Sequence, residues 1–207
     1  MPFTPLHLGP GLALKALGGR HFSFLTFGLA QVAMDIEPLL GLMTGAERLH
    51  GPTHTYLAAL GIALAVAVIT PLLGRPILRR WNREVEWVRL PWLIVPEDFS
   101  RLPVLMGAFL GTLSHVWLDS LMHADLTPLA PWSEVNGWLA AVSGESLRVG
   151  CLVAGLVGLI AWTVRAWHRG RRQSSASGRV RCRNAWSAVE DRDDRQSRVS
   201  TSRRIVQ

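Results

Sequence analysis

Two long apolar runs set the fold class of this chain. Residues 56–73 contain no charge, and residues 149–167 contain a single one, at Arg165. Each run comes close to the ~20 apolar residues that a helix needs to cross the hydrocarbon core of a bilayer. Because that core offers the backbone no hydrogen-bonding partner, a chain crosses it as helices or as a closed barrel. Runs of this length predict helices, and we therefore expect an all-α integral membrane protein.

A third run, residues 104–122, is apolar apart from Ser114, His115, Asp119 and Ser120. A stripe of polar residues on an apolar segment is typical of a span that turns the stripe toward neighbouring helices. With this run the sequence predicts a helical bundle with three to four transmembrane helices. The number depends on how the N-terminal region folds.

The N-terminal region allows two interpretations. Residues 22–44 could form one span. We favour an N-terminal helical hairpin, in which residues 6–17 and 22–34 form two short helices joined at Gly18-Gly19. Paired glycines mark turns, and Pro38 would end the second helix. Each arm would be about 18 Å long and could enter the membrane without crossing it upright.

Arginines indicate the orientation of the bundle. The segment 74–103 carries six arginines, and residues 165–207 carry 12. Because cytoplasmic segments of multi-pass membrane proteins are enriched in Lys and Arg, we expect both segments, and with them the C-terminus, in the cytoplasm. The open end of the hairpin, where His7 and Asp35 meet, would then face outward.

The composition changes near residue 168. Residues 1–168 would form the membrane-embedded domain, whereas residues 169–207 are rich in Arg and Ser and poor in apolar residues, a composition typical of disorder. The tail would fix the orientation, and contact with anionic lipid is a second role open to it. Since it has no pattern of stacking aromatic residues, we predict membrane lipids and no nucleic acid as partners. The oligomeric state stays open.

Histidines and carboxylates recur at intervals of four within the apolar segments. His115, Asp119 and His123 follow this interval, and so do His50 and His54. Side chains at i and i+4 point from one helical face, which is how a helix offers two ligands to one metal ion. Burial of such groups in an apolar segment is costly, so each needs a partner or a function.

These residues, with His7 and Asp35, are enough for one complete metal site and leave room for a second. We expect a divalent metal, zinc first, because neutral imidazoles and carboxylates are its usual ligands. Pro52 suits the first turn of a helix, which would hold His54 just inside and His50 just before it. Two other interpretations stay open: histidines at the membrane interface, and a polar stripe that hydrogen-bonds a neighbouring helix. The candidate metal ligands are His7, Asp35, His50, His54, His115, Asp119 and His123.

Four motifs in a fixed order carry a resemblance to a known family. They are Met1-Pro-Phe-Thr-Pro-Leu-His7, Asp35-Ile-Glu37-Pro, His50-Gly-Pro-Thr-His54 and Gly111-Thr-Leu-Ser-His115-Val-Trp-Leu-Asp119. Together they resemble the membrane-bound metal-dependent hydrolases, the YdjM-like bacterial inner-membrane proteins, over about residues 1–165 and without the tail.

The resemblance implies a metal-dependent hydrolase of the bacterial inner membrane. The ligands that it implies are His7, Asp35, His50, His54, His115 and Asp119. Gly51-Pro52 stands where the family often has a basic residue. If that residue contacts an anionic substrate in the family, this chain lacks the contact.

The expected function is hydrolysis of a phosphoester or acyl bond in an amphipathic substrate by metal-activated water. Glu37 and Asp125, if they are not ligands, are the candidate general bases. One alternative is a non-catalytic membrane scaffold or regulator whose His and Asp groups only hold helices together. Another is a metal or proton transporter, but a transporter needs polar groups through the full membrane depth, and here they cluster at one end.

Overall fold

The computed structural model describes residues 5–171, and no strand occurs among them. Short 3-10 turns, Pro5–His7 and Pro52–His54, precede the first and third helices. The predicted all-α class is confirmed. The five helices are α1 (Leu8–Gly18), α2 (Phe24–Thr44), α3 (Tyr56–Trp87), α4 (Arg101–Ser120) and α5 (Gly144–Arg171).

Four of these helices, α2 to α5, are long and apolar enough to cross a membrane. Their outward faces carry large apolar side chains; Val68 is 80% exposed and Leu72 75% exposed on α3, and Ile160 is 62% exposed on α5. Such surface suits contact with lipid tails and would be costly in water. The prediction of three to four spans is confirmed at its upper value.

The N-terminal hairpin is present, with arms of unequal length. Its turn uses Gly19 at a positive φ of 53°, which favours glycine. The ammonium group of Lys15 ties the turn together by donating to the carbonyl oxygens of Gly19, at 2.8 Å, and Phe22, at 2.7 Å. Ser23 caps the second arm by accepting from the backbone N–H of Thr26.

The expectation that Pro38 ends the second arm is wrong. Pro38 lies inside α2, which runs on to Thr44 and ends at Gly45 in the left-handed conformation. Proline removes one helical donor, but its fully buried ring packs inside the bundle, and apolar helices tolerate such breaks. As a result α1, with 11 residues, is about 16 Å long, whereas α2, with 21, is about 32 Å long.

Glycines let α4 approach α2 closely. A Cβ atom at Gly107 would lie 2.5 Å from the carbonyl oxygen of Ser23, and one at Gly111 would lie 2.6 Å from Cβ of Ala30. Glycines four residues apart are a common device for close helix contact in membranes. The approach brings His115, one turn beyond Gly111, against α2.

Glycines also join α1 to α5. A Cβ atom at Gly9 would overlap the carbonyl oxygen of Cys151, and one at Gly158 would overlap the backbone of Ala13. The guanidinium group of Arg165 donates to the carbonyl oxygen of Ala16, near the other end of α1. These contacts fix α1, which is too short to span a membrane, along α5.

The segment 74–103, which we expect in the cytoplasm, is helical in its first half. The 32 residues of α3 extend about 48 Å, which exceeds the ~30 Å hydrocarbon core. The protruding end folds against the following segment: the side-chain amide of Asn82 donates to the carbonyl oxygen of Val95 at 2.9 Å and accepts from its N–H at 3.0 Å.

The chain divides into two units, residues 1–165 and 166–207. Of the second unit the structure describes only the end of α5, where the guanidinium group of Arg171 lies 4.7 Å from the ring centre of Trp167. The predicted domain boundary at residue 168 therefore stays a prediction. The tail from residue 172 onward lies outside the described residues.

Candidate metal centre

The carboxylate of Asp119 lies at the centre of a buried histidine cluster. Its Oδ2 atom is 3.0 Å from Nε2 of His115, 3.6 Å from Nε2 of His54 and 3.9 Å from Nε2 of His50. Its Oδ1 atom is 3.6 Å from Nε2 of His7. All five side chains are buried, and those of His54 and His115 are fully enclosed. We call these five residues the candidate centre.

Three parts of the chain supply the candidate centre. His115 and Asp119 lie one turn apart on α4, as their spacing predicts. His7 ends the 3-10 turn before α1. His54 ends the 3-10 turn before α3, and the residue after it is extended. The expectation that His54 lies just inside the long helix is therefore wrong, because the turn that Pro52 begins stops before α3 starts.

His123 does not lie on α4, because that helix ends at Ser120. The prediction that one helix carries His115, Asp119 and His123 is thus wrong in its last member. His123 is nevertheless near the candidate centre: its half-buried ring packs on the ring of His50, with centres 4.2 Å apart. Asp35 is near as well, with Oδ1 3.6 Å from Nε2 of His115.

The spacing of these atoms suits a metal ion. Ligand bonds of about 2.0–2.2 Å place neighbouring ligand atoms of a tetrahedral or octahedral ion about 3.0–3.5 Å apart. The distances from the carboxylate oxygens of Asp119 to the four Nε2 atoms fall in or near this range. Within the described residues, Nε2 of His54 and Nε2 of His115 are buried without a hydrogen-bond partner, a costly state that a bound cation would relieve.

A glutamine fixes the orientation of His115. Nε2 of Gln31 donates to the carbonyl oxygen of Gly111 at 3.0 Å, so its Oε1 is the atom that faces Nδ1 of His115, at 2.7 Å. Nδ1 must then carry the proton, and Nε2 turns its lone pair toward Asp119. Gln31 was not among the predicted site residues, although a lone glutamine four residues before Asp35 in an apolar helix was a signal for it.

A carboxylate fixes His50 in the same way. Nδ1 of His50 lies 3.1 Å from both oxygens of Asp125, which also accepts from the backbone N–H groups of His50 and Leu49. Burial alone would raise the pKa of Asp125, but these hydrogen bonds from His50 outweigh it, so its pKa lies below the usual value. The ionised carboxylate accepts from Nδ1 of His50 and turns Nε2 of the ring toward Asp119.

Glu37 fixes His54 through a neighbour. Its Oε2 atom accepts from both the N–H and the hydroxyl group of Thr53. Because the hydroxyl group donates its hydrogen bond to Glu37, its oxygen is free to accept one from Nδ1 of His54, 3.1 Å away. A Cβ atom at Gly51 would overlap Oε1 of Glu37, so a side chain there would displace the carboxylate.

Burial favours the neutral form of three histidines, His7, His54 and His123, and neutral imidazole is the form that binds metals. Burial lowers the pKa of His7 to about 4, against the opposing charge of Asp119. Burial also lowers the pKa of His54, assisted by His115. For His123, outside α4, burial again lowers the pKa.

All nine predicted site residues therefore lie in or beside the candidate centre. Three of them, Glu37, His123 and Asp125, are partly open to solvent, and together with the exposed Arg48 they form what we call the rim. Arg48 was not predicted; its guanidinium group donates to the carbonyl oxygen of Asp125 at 3.1 Å. The roles of Glu37 and Asp125 as general bases, and of each ligand, stay predictions.

The comparisons with known proteins agree with the resemblance. The family described as YdjM inner membrane protein matches residues 18–181, which is most of the chain. The match starts after His7 and includes residues 166–181, which the resemblance had left out. No curated protein and no solved structure matches. The four candidate spans and the buried His/Asp cluster that could hold a metal agree with this match. The match over most of its length shows that the chain belongs to the YdjM inner membrane protein family.

Proposed function

We propose that this chain is a membrane-bound, metal-dependent hydrolase that acts on a phosphoester or acyl bond of an amphipathic substrate. The observation that carries the proposal is the convergence of four buried Nε2 atoms on the carboxylate of Asp119. His54, His115 and Asp119 would hold a divalent ion, zinc first, with His7, Asp35 and His50 beside them. Such an ion, when bound, supplies a Lewis acid and water activated near neutral pH.

The surrounding residues prepare the ligands for this task. Three histidines each have a hydrogen-bond acceptor at Nδ1, supplied by Gln31, Thr53 or Asp125. Their imidazoles therefore present Nε2 in a fixed orientation. Partners of this kind orient metal ligands and raise their basicity. A role in helix packing alone would not need three separate groups that all select the same tautomer.

The rim supplies the proton acceptor. The contacts of Glu37 with Thr53 and His54 all use Oε2, so Oε1 is the oxygen at which Glu37 would take a proton from water. Asp125 contacts His50 through both oxygens and would take a proton less readily. We therefore favour Glu37 over Asp125 as the general base.

The surroundings of the candidate centre favour an amphipathic substrate. The segment after α4, which contains the rim residues His123 and Asp125, also exposes Trp132 (77%), Val135 (71%) and Trp138 (48%). Tryptophans at such a position are typical of the membrane interface. A substrate with an apolar part and a polar head could reach the rim from the membrane.

Metal content tests the proposal. The full chain, purified in detergent, should contain a divalent metal, and His115→Ala and His54→Ala should each lose it. His21→Ala is the matched control, because His21 lies exposed in the turn after α1. Helix content measured by circular dichroism would show that the variants fold. Near-zero metal in the unchanged protein, or equal metal in all four proteins, would contradict the proposal.

Hydrolysis tests the reaction itself. We expect metal-dependent cleavage of either phospholipid headgroup esters or acyl esters in mixed micelles, with a loss of about 100-fold or more in Glu37→Gln. Metal content of Glu37→Gln should stay near that of the unchanged protein. Metal-loaded protein that cleaves neither class of ester would favour the non-catalytic alternative.

The proposal includes a cytoplasmic C-terminus. Single-cysteine variants at Ser133 and Ser177, in a background without Cys151 and Cys182, should label from opposite sides of the membrane. Labelling of both from one side would contradict this orientation.

A further inference from the structure

The candidate centre offers more ligand atoms than one ion uses. Four imidazole nitrogens and two carboxylate oxygens of Asp119 face one another. A catalytic zinc ion takes about three protein ligands and keeps a position for water. With one such ion, some of the four imidazole nitrogens would be left without an ion to bind.

Two groups of ligand atoms share Asp119, and a third group at the rim, His50, His123 and Asp125, does not include it. His7, His115 and Asp119 form the first set, and His50, His54 and Asp119 form the second; within each set the three ligand atoms lie within 4.8 Å of one another. The rings pair in the same way, with centres 5.1 Å apart for His7 and His115 and 5.0 Å apart for His50 and His54.

The two oxygens of Asp119 divide between the sets. Oδ1 faces His7 of the first set, and Oδ2 faces His50 and His54 of the second. His115 belongs to the first set but lies between the two sets. Its Nε2 atom is 3.0 Å from Oδ2 of Asp119 and 3.6 Å from Oδ1 of Asp35. Asp35 thus gives the first set a second carboxylate.

Each set contains a buried Nε2 atom without a hydrogen-bond partner. Within the described residues these are Nε2 of His115 in the first set and Nε2 of His54 in the second; Nδ1 of His7, in the first set, has no partner either. The side chains of His115 and His54 have no exposed surface. Gln31, on α2, orients the first nitrogen directly, whereas Thr53, in the turn before α3, orients the second and is itself held by Glu37 of α2. Each set therefore has its own orienting side chain.

We propose that the candidate centre binds two divalent ions, one in each set, with Asp119 giving one carboxylate oxygen to each. The inference rests on the proposed function and deepens it by naming the substrate class. Two adjacent cations suit the charged oxygens of a phosphoester better than the neutral carbonyl of an acyl ester. The guanidinium group of Arg48, which contacts the carbonyl oxygen of Asp125, adds a further cationic group at the rim.

Metal stoichiometry tests the inference. Metal-free full chain, titrated with Zn²⁺ in detergent and analysed by mass spectrometry of the metal, should bind about two ions per chain. His7→Ala should retain the ion of the second set, and the double variant His50→Ala/His54→Ala should retain the ion of the first. Asp119→Asn should weaken both, and His21→Ala should bind as the unchanged protein does.

A spectroscopic measurement keeps the test independent of folding. With Mn²⁺ as the probe, two ions that share a carboxylate should give an exchange-coupled electron paramagnetic resonance spectrum, and His7→Ala should give the spectrum of an isolated ion. His7→Gln replaces His7→Ala if the latter loses helix content.

The outcomes separate this inference from the proposed function. One ion per chain with an uncoupled spectrum would overturn the two-ion centre and leave a one-ion hydrolase. No bound ion would overturn both. Two ions that both remain in the double variant His50→Ala/His54→Ala would show that the second set is not a site, and would overturn the inference as well.

Discussion

Polar groups are treated in opposite ways at two places along α3. Just before its first residue, His54 is fully buried, and its Nε2 atom has no hydrogen-bond partner within the described residues. Near its other end, the side chains of Arg79 and Glu97 are 67% and 35% exposed and pair at 3.1 Å, and Trp81 donates to the carbonyl oxygen of Leu93. We call this second region the arginine end.

The difference separates structural polar groups from functional ones. At the arginine end each polar contact is complete in itself or open to water, and it ties a loop to a helix. At the candidate centre Nδ1 of His50, His54 and His115 has a partner, whereas the Nε2 atoms of His54 and His115, which face Asp119, have no hydrogen-bond partner within the described residues, and neither has Nδ1 of His7. Buried nitrogen atoms that are held in one orientation and have no hydrogen-bond partner are typical of a ligand site.

The largest effect is expected where the helices that carry the candidate centre cross. Gly111→Val would place a Cβ atom 2.6 Å from Cβ of Ala30 and 3.0 Å from the carbonyl oxygen of Phe27. We expect a loss of about 1–3 kcal/mol of stability, together with most of the metal affinity, because α4 must move away from α2.

Gly61→Val is the matched control, because a Cβ atom there meets nothing within 4 Å. Thermal unfolding in detergent and metal content measure the two effects. Equal melting temperatures for the two variants would show that the helices do not cross as described.

The next effect tests whether the partner of His115 prepares a metal ligand. Gln31→Met removes the acceptor for Nδ1 of His115 while keeping a similar volume. Loss of such a partner costs about 10–100-fold in metal affinity, which competition with a chelator would measure. Unchanged metal affinity would show that Gln31 contributes only to packing.

An amide at the arginine end provides the opposite case. Asn82→Ala removes both hydrogen bonds to Val95. We expect a loss of about 1–2 kcal/mol, with faster hydrogen exchange at the N–H of Val95 and no change in metal affinity. A change in metal affinity would mean that the two regions are coupled and the comparison fails.

The smallest effect is expected at the exposed ion pair. Glu97→Gln removes the partner of Arg79, and such pairs contribute about 0.5 kcal/mol or less. Thermal unfolding at low and high salt should show a difference near the limit of measurement. A shift of several degrees would indicate that the pair belongs to a larger network.

The sequence predicted those features that depend on one segment at a time. The apolar runs gave the spans because their length must match a bilayer, and the spacing of His115 and Asp119 placed both on one face of α4. Gly18-Gly19 gave the hairpin turn for a similar reason. Candidate ligands were found because such side chains are rare in apolar segments.

The errors arose where packing between segments decides the outcome. Burial of Pro38 among other helices let α2 continue, and the end of α4 at Ser120 moved His123 into a loop. Gln31 and Thr53 gain their roles only from contacts with residues distant in sequence or with a carboxylate on another helix. Local patterns carry no information about such contacts.

The shortness of α1 determines how deep the candidate centre lies. If Lys15 and the glycine turn lie at one boundary of the membrane, His7 is only about 16 Å away along the helix. A hydrocarbon core is ~30 Å thick, so this distance would end inside it. The last turns of α2 expose Ile36, Leu40 and Met43, apolar side chains that suit contact with lipid tails. A lipid could present its headgroup there while its tails stay among other lipids, and the chemistry would proceed without extraction from the membrane.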